Sequence, residues 1–432
     1  MTSMTNDECQ PGAPALAGRL YDPGVIFIVG ALMTLGVVMV YSASVTVQGA
    51  GFNWRQWWNS PLKQGVFAFA GFLVMIVAAH VDYRMLAWEK KGDGWRAGLL
   101  LLLALGLLVA VLMPGVGHQA LGARRAIVVP GVGFGFQPSE LAKVLLVVWL
   151  AALLSRPYAG RPSGVVSRGD IRHLATGFVP ALLSSAALIG LTAIEDFGTA
   201  ALMGAVMFAL LLVAGARWTH LGFTLLAGAG AGALLVWIKP HRIARLTTFF
   251  SDSPDVLGPG YQVHQALLAI GSGGWLGRGL GAGVQKYGYL PKDNNDFILA
   301  VICEELGVVG GIAVALLFLG LLWRGWRVAA RAPDRFGQLL ALGLTLLLVL
   351  QAAFNIAVVT NSVPTKGISL PFVSAGGSGV IFLGLAAGLL ASTGRVRSTI
   401  MPMPKPASET QHFDSWMECC KKPAGLSTQK DG

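Results

Sequence analysis

Long apolar stretches, nearly free of charge and recurring along the chain, restrict what this sequence can fold into. A run of about 17–25 apolar residues crosses the hydrocarbon core as a helix, because a helix satisfies its own backbone polar groups where no water can. The runs fall at residues 25–45, 65–81, 97–113, 140–154, 175–193, 197–214, 219–238, 297–323, 337–360 and 376–392. With 54% hydrophobic and only 12% charged residues, the chain lies outside the range of soluble domains. The expected fold is an all-α polytopic membrane protein of about ten transmembrane helices.

Basic residues sort the connections, because they collect on cytoplasmic loops. Arg84, Lys90, Lys91 and Arg96 follow the second run; Arg156, Arg161, Arg168 and Arg172 follow the fourth. Arg324, Arg327, Arg331 and Arg335 follow the eighth, and Arg395 and Arg397 the tenth. Both termini are therefore expected in the cytoplasm, with loops 49–64, 114–139, 195–196, 239–296 and 361–375 outside. In those loops Arg124, Arg125, Arg242, Arg245, Arg278, Lys286 and Lys366 run against the bias, which points to a ligand or a fold contact. The formal net charge of +11 is accounted for by cytoplasmic loops and anionic headgroups, so no nucleic-acid partner is inferred. Cys9, Cys303, Cys419 and Cys420 have neither CxxC spacing nor a nearby His, which argues against a disulfide framework or a zinc site. The expected organisation is a cytoplasmic tail at 1–20, a single membrane domain at 21–398 and a disordered cytoplasmic tail at 399–432.

The interval 239–296 is far longer than an ordinary connection and is expected to be functional or internally structured. Within it, Tyr261 to Ile270 has helical apolar spacing, and GSGGWLGRGLGAG supplies backbone suited to tight turns and close approach. Neither GSGG nor GRGLGAG is a phosphate loop, since no strand precedes it and no GK[ST] follows. The interval closes on Asp296, at the edge of the eighth run. A carboxylate there can act as general base toward a hydroxyl at the membrane surface. Capping of the eighth helix by Asn295 or Asp296 is the more ordinary reading, and one residue can do both. Glu304 and Glu305 lie about two turns further on, inside the apolar run, where a structural ion pair with a neighbouring span and a relay role both fit. Glu195 and Asp196 fill a tight hairpin, which favours capping of the sixth helix over paired acid–base work. Arg124 and Arg125 precede a helix expected to begin near Pro138, Ser139 and Glu140, and can clamp a pyrophosphate. Lys366, between a Pro turn and a Gly, suits either a headgroup or a bound anion.

In chain order, GARRAI with QPSELAK, DFGTA, GYQVHQALLAIGSGGWLGRGLGAGVQK, YLP, DF, AVICEELG and PTKGISLPFVSAGGS resemble the SEDS family of polytopic membrane glycosyltransferases, typified by FtsW and RodA. The likeness extends from about Tyr21 to Arg397, and PTKG resembles the division branch. It implies the SEDS fold and polymerisation of lipid II into glycan strands at the outer face of the bacterial cytoplasmic membrane, in septal wall synthesis. Asp296 matches the family's catalytic Asp, which deprotonates the acceptor's sugar hydroxyl. Arg125, Lys143, Gln265, Lys366 and Ser374 fall on substrate-binding positions. Glu140, Glu304 and Glu305 fall on structural or relay positions. A divalent cation, Mg or Mn, is a possible cofactor, and a class B penicillin-binding protein transpeptidase of the division or elongation machinery is the implied partner.

Around that Asp the sequence departs from the family pattern, reading YGYLPKDNNDF at 287–297. Gly288, Lys292, Asn294 and Asn295 replace the usual residues, and Asp293 adds a carboxylate. Ala126 stands where Trp is usual and Ala375 where Tyr is usual. Two other functions fit parts of the pattern. Buried Glu304 and Glu305 with helix-breaking glycines suit a lipid II flippase, and a catalytically weakened scaffold for the transpeptidase would keep the fold alone.

Overall fold

A computed structural model describes residues 21–44, 62–87, 95–114, 117–120, 123–128, 135–156, 171–251, 260–285 and 295–395. The expected tails, Cys9, Cys419, Cys420, Lys286, Gly288, Lys292, Asp293 and Asn294 lie outside the described residues. The helices are α1 (Pro23–Ser44), α2 (Leu62–His80), α3 (Trp95–Leu112), α4 (Pro138–Leu154), α5 (Val179–Glu195) and α6 (Phe197–Val213). They continue as α7 (Trp218–Trp237), α8 (Pro240–Phe250), α9 (Tyr261–Gly273), α10 (Ile298–Arg331), α11 (Arg335–Val359) and α12 (Gly377–Thr393). Each apolar run lies on one helix, while α8 and α9 occupy the long interval. By length and composition α1, α2, α7, α10 and α11 can cross a membrane, and α3, α5, α6 and α12 are shorter apolar helices. The chain is thus a mostly helical, multi-pass membrane protein.

The expected all-α class needs one correction. Between α3 and α4 the chain forms a small antiparallel sheet of β1 (Gly117–Ala120), β2 (Ala123–Val128) and β3 (Gly135–Phe136), in that order. Ile127 of β2 faces Gly117 on one side and Phe136 on the other. The run is too short and too rich in glycine and β-branched residues for a helix, and pairing gives its backbone groups partners. Helix α8 was also not anticipated, although Pro240 stands at its start and Ile243, Leu246 and Phe250 share a face.

Two helices lie at the centre. α4 is buried along almost its whole length, and α11 nearly so. A helix that is apolar all round needs such enclosure. Yet these same two helices carry buried Glu140, Lys143, Gln351 and Asn355, which places polar chemistry in the middle of the bundle. α2 and α12 approach closely, since a Cβ at Gly384 would overlap the Gly71 carbonyl. Small residues permit that backbone contact in a membrane.

α10 is broken at Gly307, where φ is 76° and ψ −178°. The backbone groups freed by the break are taken up by the glycine-rich segment after α9. Arg278 and Gly279 N–H donate to the Glu304 and Glu305 carbonyls at 3.0 Å each, and Val308 N–H donates to the Gly274 carbonyl at 2.9 Å. The buried Glu304 carboxylate accepts from Val284 N–H at 2.7 Å and faces Arg278 at 3.9 Å. Glu305 accepts from Ser42 of α1 at 2.7 Å. Non-helical backbone is tolerated at membrane depth only with such internal partners. The ion-pair partner of Glu304 comes from the long interval rather than from a neighbouring span.

At the opposite end of α10, Arg324 donates to Asp22 at 2.6 Å, and Asp22 also accepts from Gly24 N–H at the start of α1. Nearby, Asp334 caps α11 through Gly337 N–H at 2.9 Å and accepts from the Tyr83 hydroxyl at 2.5 Å. Burial, reinforced by the Asp334 bond, pushes the Tyr83 phenol up to about 12. The folded pKa exceeds the ordinary phenol value of 10.0, so stability from this group is complete below pH 10 and falls as pH rises toward 12. Thermal melts of detergent-solubilised protein should show wild type losing stability relative to Tyr83→Phe across that window; parallel curves would refute the assignment.

Candidate active site

Asp296 lies just before α10, half-buried. The cap position falls on Phe297, one residue beyond Asp296, and the Phe297 side chain makes no cap bond. The Asp296 carbonyl accepts the Asn355 amide at 2.7 Å, and the same amide donates to the Ile368 carbonyl at 2.8 Å. A Cβ at Gly367 would sit 3.1 Å from Asp296 Oδ2, so the loop backbone lies directly against the carboxylate.

That carboxylate borders a polar cleft of about 200 Å³, lined also by Arg125, Glu140, Lys143, Asp196 and Gln351. Lys143, only 1% exposed, donates to Glu140 Oε1 at 2.9 Å and to Gln351 Oε1 at 2.8 Å. Burying a charge requires such pairing. Gln351 in turn donates to the Ser369 carbonyl at 3.0 Å. Ser374 lies outside the lining; its hydroxyl donates to the Asn295 carbonyl and accepts from Leu370 N–H, each at 2.7 Å. Gln265 is half-buried on α9 and also not part of the lining. Ala375 borders the cleft, whereas Ala126 sits in β2 opposite His118.

The basic residues that run against the charge bias mostly make fold contacts. The end of α5 is bound by two of them and by Lys239: Arg125 donates to the Glu195 carbonyl at 3.1 Å, Lys239 to that of Ile194 at 3.0 Å and Arg242 to that of Ala193 at 3.1 Å. Cations at a helix C-terminus satisfy its last carbonyls and offset its dipole. Asp196 caps the next helix, accepting from Thr199 N–H at 3.1 Å and its hydroxyl at 2.8 Å. Phe197 then carries two cations, Lys366 at 4.8 Å and Arg242 at 5.2 Å from its centroid. Burial holds the Lys366 ammonium below the usual lysine range. It also lowers Arg242, with repulsion from Arg125 adding to the effect.

The structure therefore gathers Arg125, Glu140, Lys143 and Asp296 on one cleft. It places Lys366 beside that cleft, Ser374 behind it, and Glu304 and Glu305 at the break in α10. Sequence reasoning missed Gln351 and Asn355. Two amides one turn apart inside an apolar run were the signal, since polar groups at that depth have partners or a function.

Among the described residues no three His, Cys, Asp or Glu side chains stand close enough to share a metal. Of the carboxylates lining the cleft, Glu140 accepts from Lys143 through Oε1 and Asp196 accepts from Thr199. The described residues alone do not form an all-protein cage for Mg or Mn.

The family model for FtsW, RodA and SpoVE, described as cell cycle protein, matches residues 24–399. Stage V sporulation protein E of Bacillus subtilis is 38% identical over 373 residues, covering 86% of this chain and 96% of that protein. The probable peptidoglycan glycosyltransferase FtsW of Geobacter sp. strain M18 is 41% identical over 372 residues, covering 86% and 95%. Among solved structures, a chain from a peptidoglycan synthase complex that coordinates polymerization and crosslinking superposes with a TM-score of 0.67 at 28% identity, covering 88% and 99%. The rod shape determining protein RodA of Thermus thermophilus gives 0.59 at 27% identity, covering 87% of this chain and 96% of its own.

Proposed function

We propose, from the premise that the chain belongs to the FtsW, RodA and SpoVE family of cell cycle proteins, that it is a peptidoglycan glycosyltransferase that polymerises lipid II. The observation that carries this reading is the cleft itself. It sets one carboxylate, Asp296, against a loop backbone, in a cleft that two cations from separate segments, Arg125 and Lys143, also line. A glycosyl transfer between two pyrophosphate-linked lipids needs that pairing of a base with positive charge.

In this mechanism Asp296 removes the proton from the sugar 4-hydroxyl of an acceptor lipid II. The oxygen attacks the anomeric carbon of the donor, a new C–O bond forms, and undecaprenyl pyrophosphate leaves with the electron pair of the broken bond. Arg125 and Lys366 balance the pyrophosphate charge at the rim, and Lys143 contributes from the floor of the cleft. The cleft then faces outward from the bacterial inner membrane, both termini are cytoplasmic, and the partner is a class B penicillin-binding protein acting in septal wall synthesis.

The test uses purified protein with its partner transpeptidase in liposomes containing labelled lipid II. Glycan polymer supports the reading. Movement of the label between leaflets without polymer would replace it with a flippase, and neither polymer nor movement with a scaffold. The same assay addresses Lys366. Because burial lowers its pKa, its charge is lost at lower pH than for an ordinary lysine, so the alkaline limb of activity should begin early. Lys366→Arg, which keeps its charge, should move that limb upward; an unmoved limb would remove Lys366 from pyrophosphate binding.

A further inference from the structure

Asn355 is fully buried on α11, and its amide nitrogen gives hydrogen bonds to two carbonyls on different segments, those of Asp296 and Ile368. An amide nitrogen has two hydrogens, so both are committed. Rotating the group would turn its oxygen onto two carbonyl oxygens, so its orientation is fixed by its surroundings. The amide oxygen is buried without a hydrogen-bond partner among the described residues. Such an orphan lowers stability; a leucine of similar size would avoid it but would leave the two carbonyls without this donor.

The two bonds also tie parts of the cleft to one another. The first holds the backbone of Asp296 at the start of α10. The second holds the segment whose Gly367 backbone lies against the Asp296 carboxylate and whose Lys366 stands over Phe197. One turn earlier, Gln351 grips the Ser369 carbonyl and accepts from Lys143. α11 thus works as a rail that sets the spacing between the carboxylate, the lysine loop and the buried Glu140–Lys143 pair.

We propose that Asn355 is a positioning residue for Asp296, fixing the carboxylate against the Lys366–Gly367 backbone in the geometry needed for proton removal. The proposal rests on Asp296 being the base. Asn355 does not line the cleft, so its loss should disturb the chemical step rather than substrate capture.

The experiment measures initial rates of polymerisation across lipid II concentrations for wild type, Asp296→Asn, Asn355→Leu and Asn355→Asp, each normalised to folded protein by thermal melt. Asn355→Asp keeps the shape but loses at least one of the two donors, and it is scored if the leucine variant does not fold. The expected result is a fall in kcat of roughly 100-fold with KM little changed, as for a catalytic group displaced by about 1 Å. Wild-type kcat per folded molecule, or a raised KM with kcat kept, overturns the proposal. If Asp296→Asn itself polymerises at the wild-type rate, the base assignment falls and the positioning role with it. If Asp296→Asn is inactive while the Asn355 variants keep kcat, only the positioning role falls.

Discussion

Gly307→Ala should leave little folded protein. With φ of 76° and ψ of −178°, Gly307 occupies a region of backbone space that is essentially glycine-only, at a cost of about 1–3 kcal/mol for any other residue. A Cβ there would also overlap the Trp275 carbonyl oxygen and come 2.5 Å from the Gly277 nitrogen. Relieving the overlap means separating the two backbones, which breaks the bonds from Val308 to Gly274 and from Arg278 and Gly279 to the glutamates. Each backbone group left unpaired in hydrocarbon costs several kcal/mol, so the loss exceeds that of an ordinary core substitution. The comparison is Gly204→Ala on α6, where a Cβ meets nothing within 4 Å. Size-exclusion yield and thermal midpoint should collapse for the first variant and stay close to wild type for the second. Equal behaviour would mean that the break in α10 is not held by the glycine-rich segment.

How far the sequence revealed this arrangement depended on the length scale of the signal. The apolar runs each placed a helix, because a long hydrophobic stretch has one way to satisfy its backbone in a membrane. Pro138 marked the start of α4, and Asp196 was read as the cap of α6. The break at Gly307 was hidden, since EELG followed by VVGG reads as a continuous apolar helix until Gly274–Gly279 is seen beside it. The strand character of 123–128 was hidden for a similar reason, its partners being set by a turn and not by periodicity. The motifs named Arg125, Lys143 and Asp296, but the bonds that join them run through Gln351 and Asn355 on the ninth run. No local pattern shows which carbonyls an amide in an apolar run will meet.

Asp296→Asn should abolish activity while leaving the fold intact. The amide has the shape of the carboxylate, and the bond from Asn355 goes to the backbone carbonyl, which the substitution preserves. A positioned general base contributes about 10²–10⁴-fold to rate, so the variant should fall by at least about a hundredfold. The neighbouring departures from the family pattern do not alter this expectation, because the group proposed to move the proton is retained.

The decisive measurement is polymerisation of labelled lipid II by wild type and Asp296→Asn, each with the partner transpeptidase and matched for thermal midpoint. Glycan strands from wild type and none from the variant are the predicted result. Strands from both at equal rates would contradict the account, placing the base elsewhere than at Asp296.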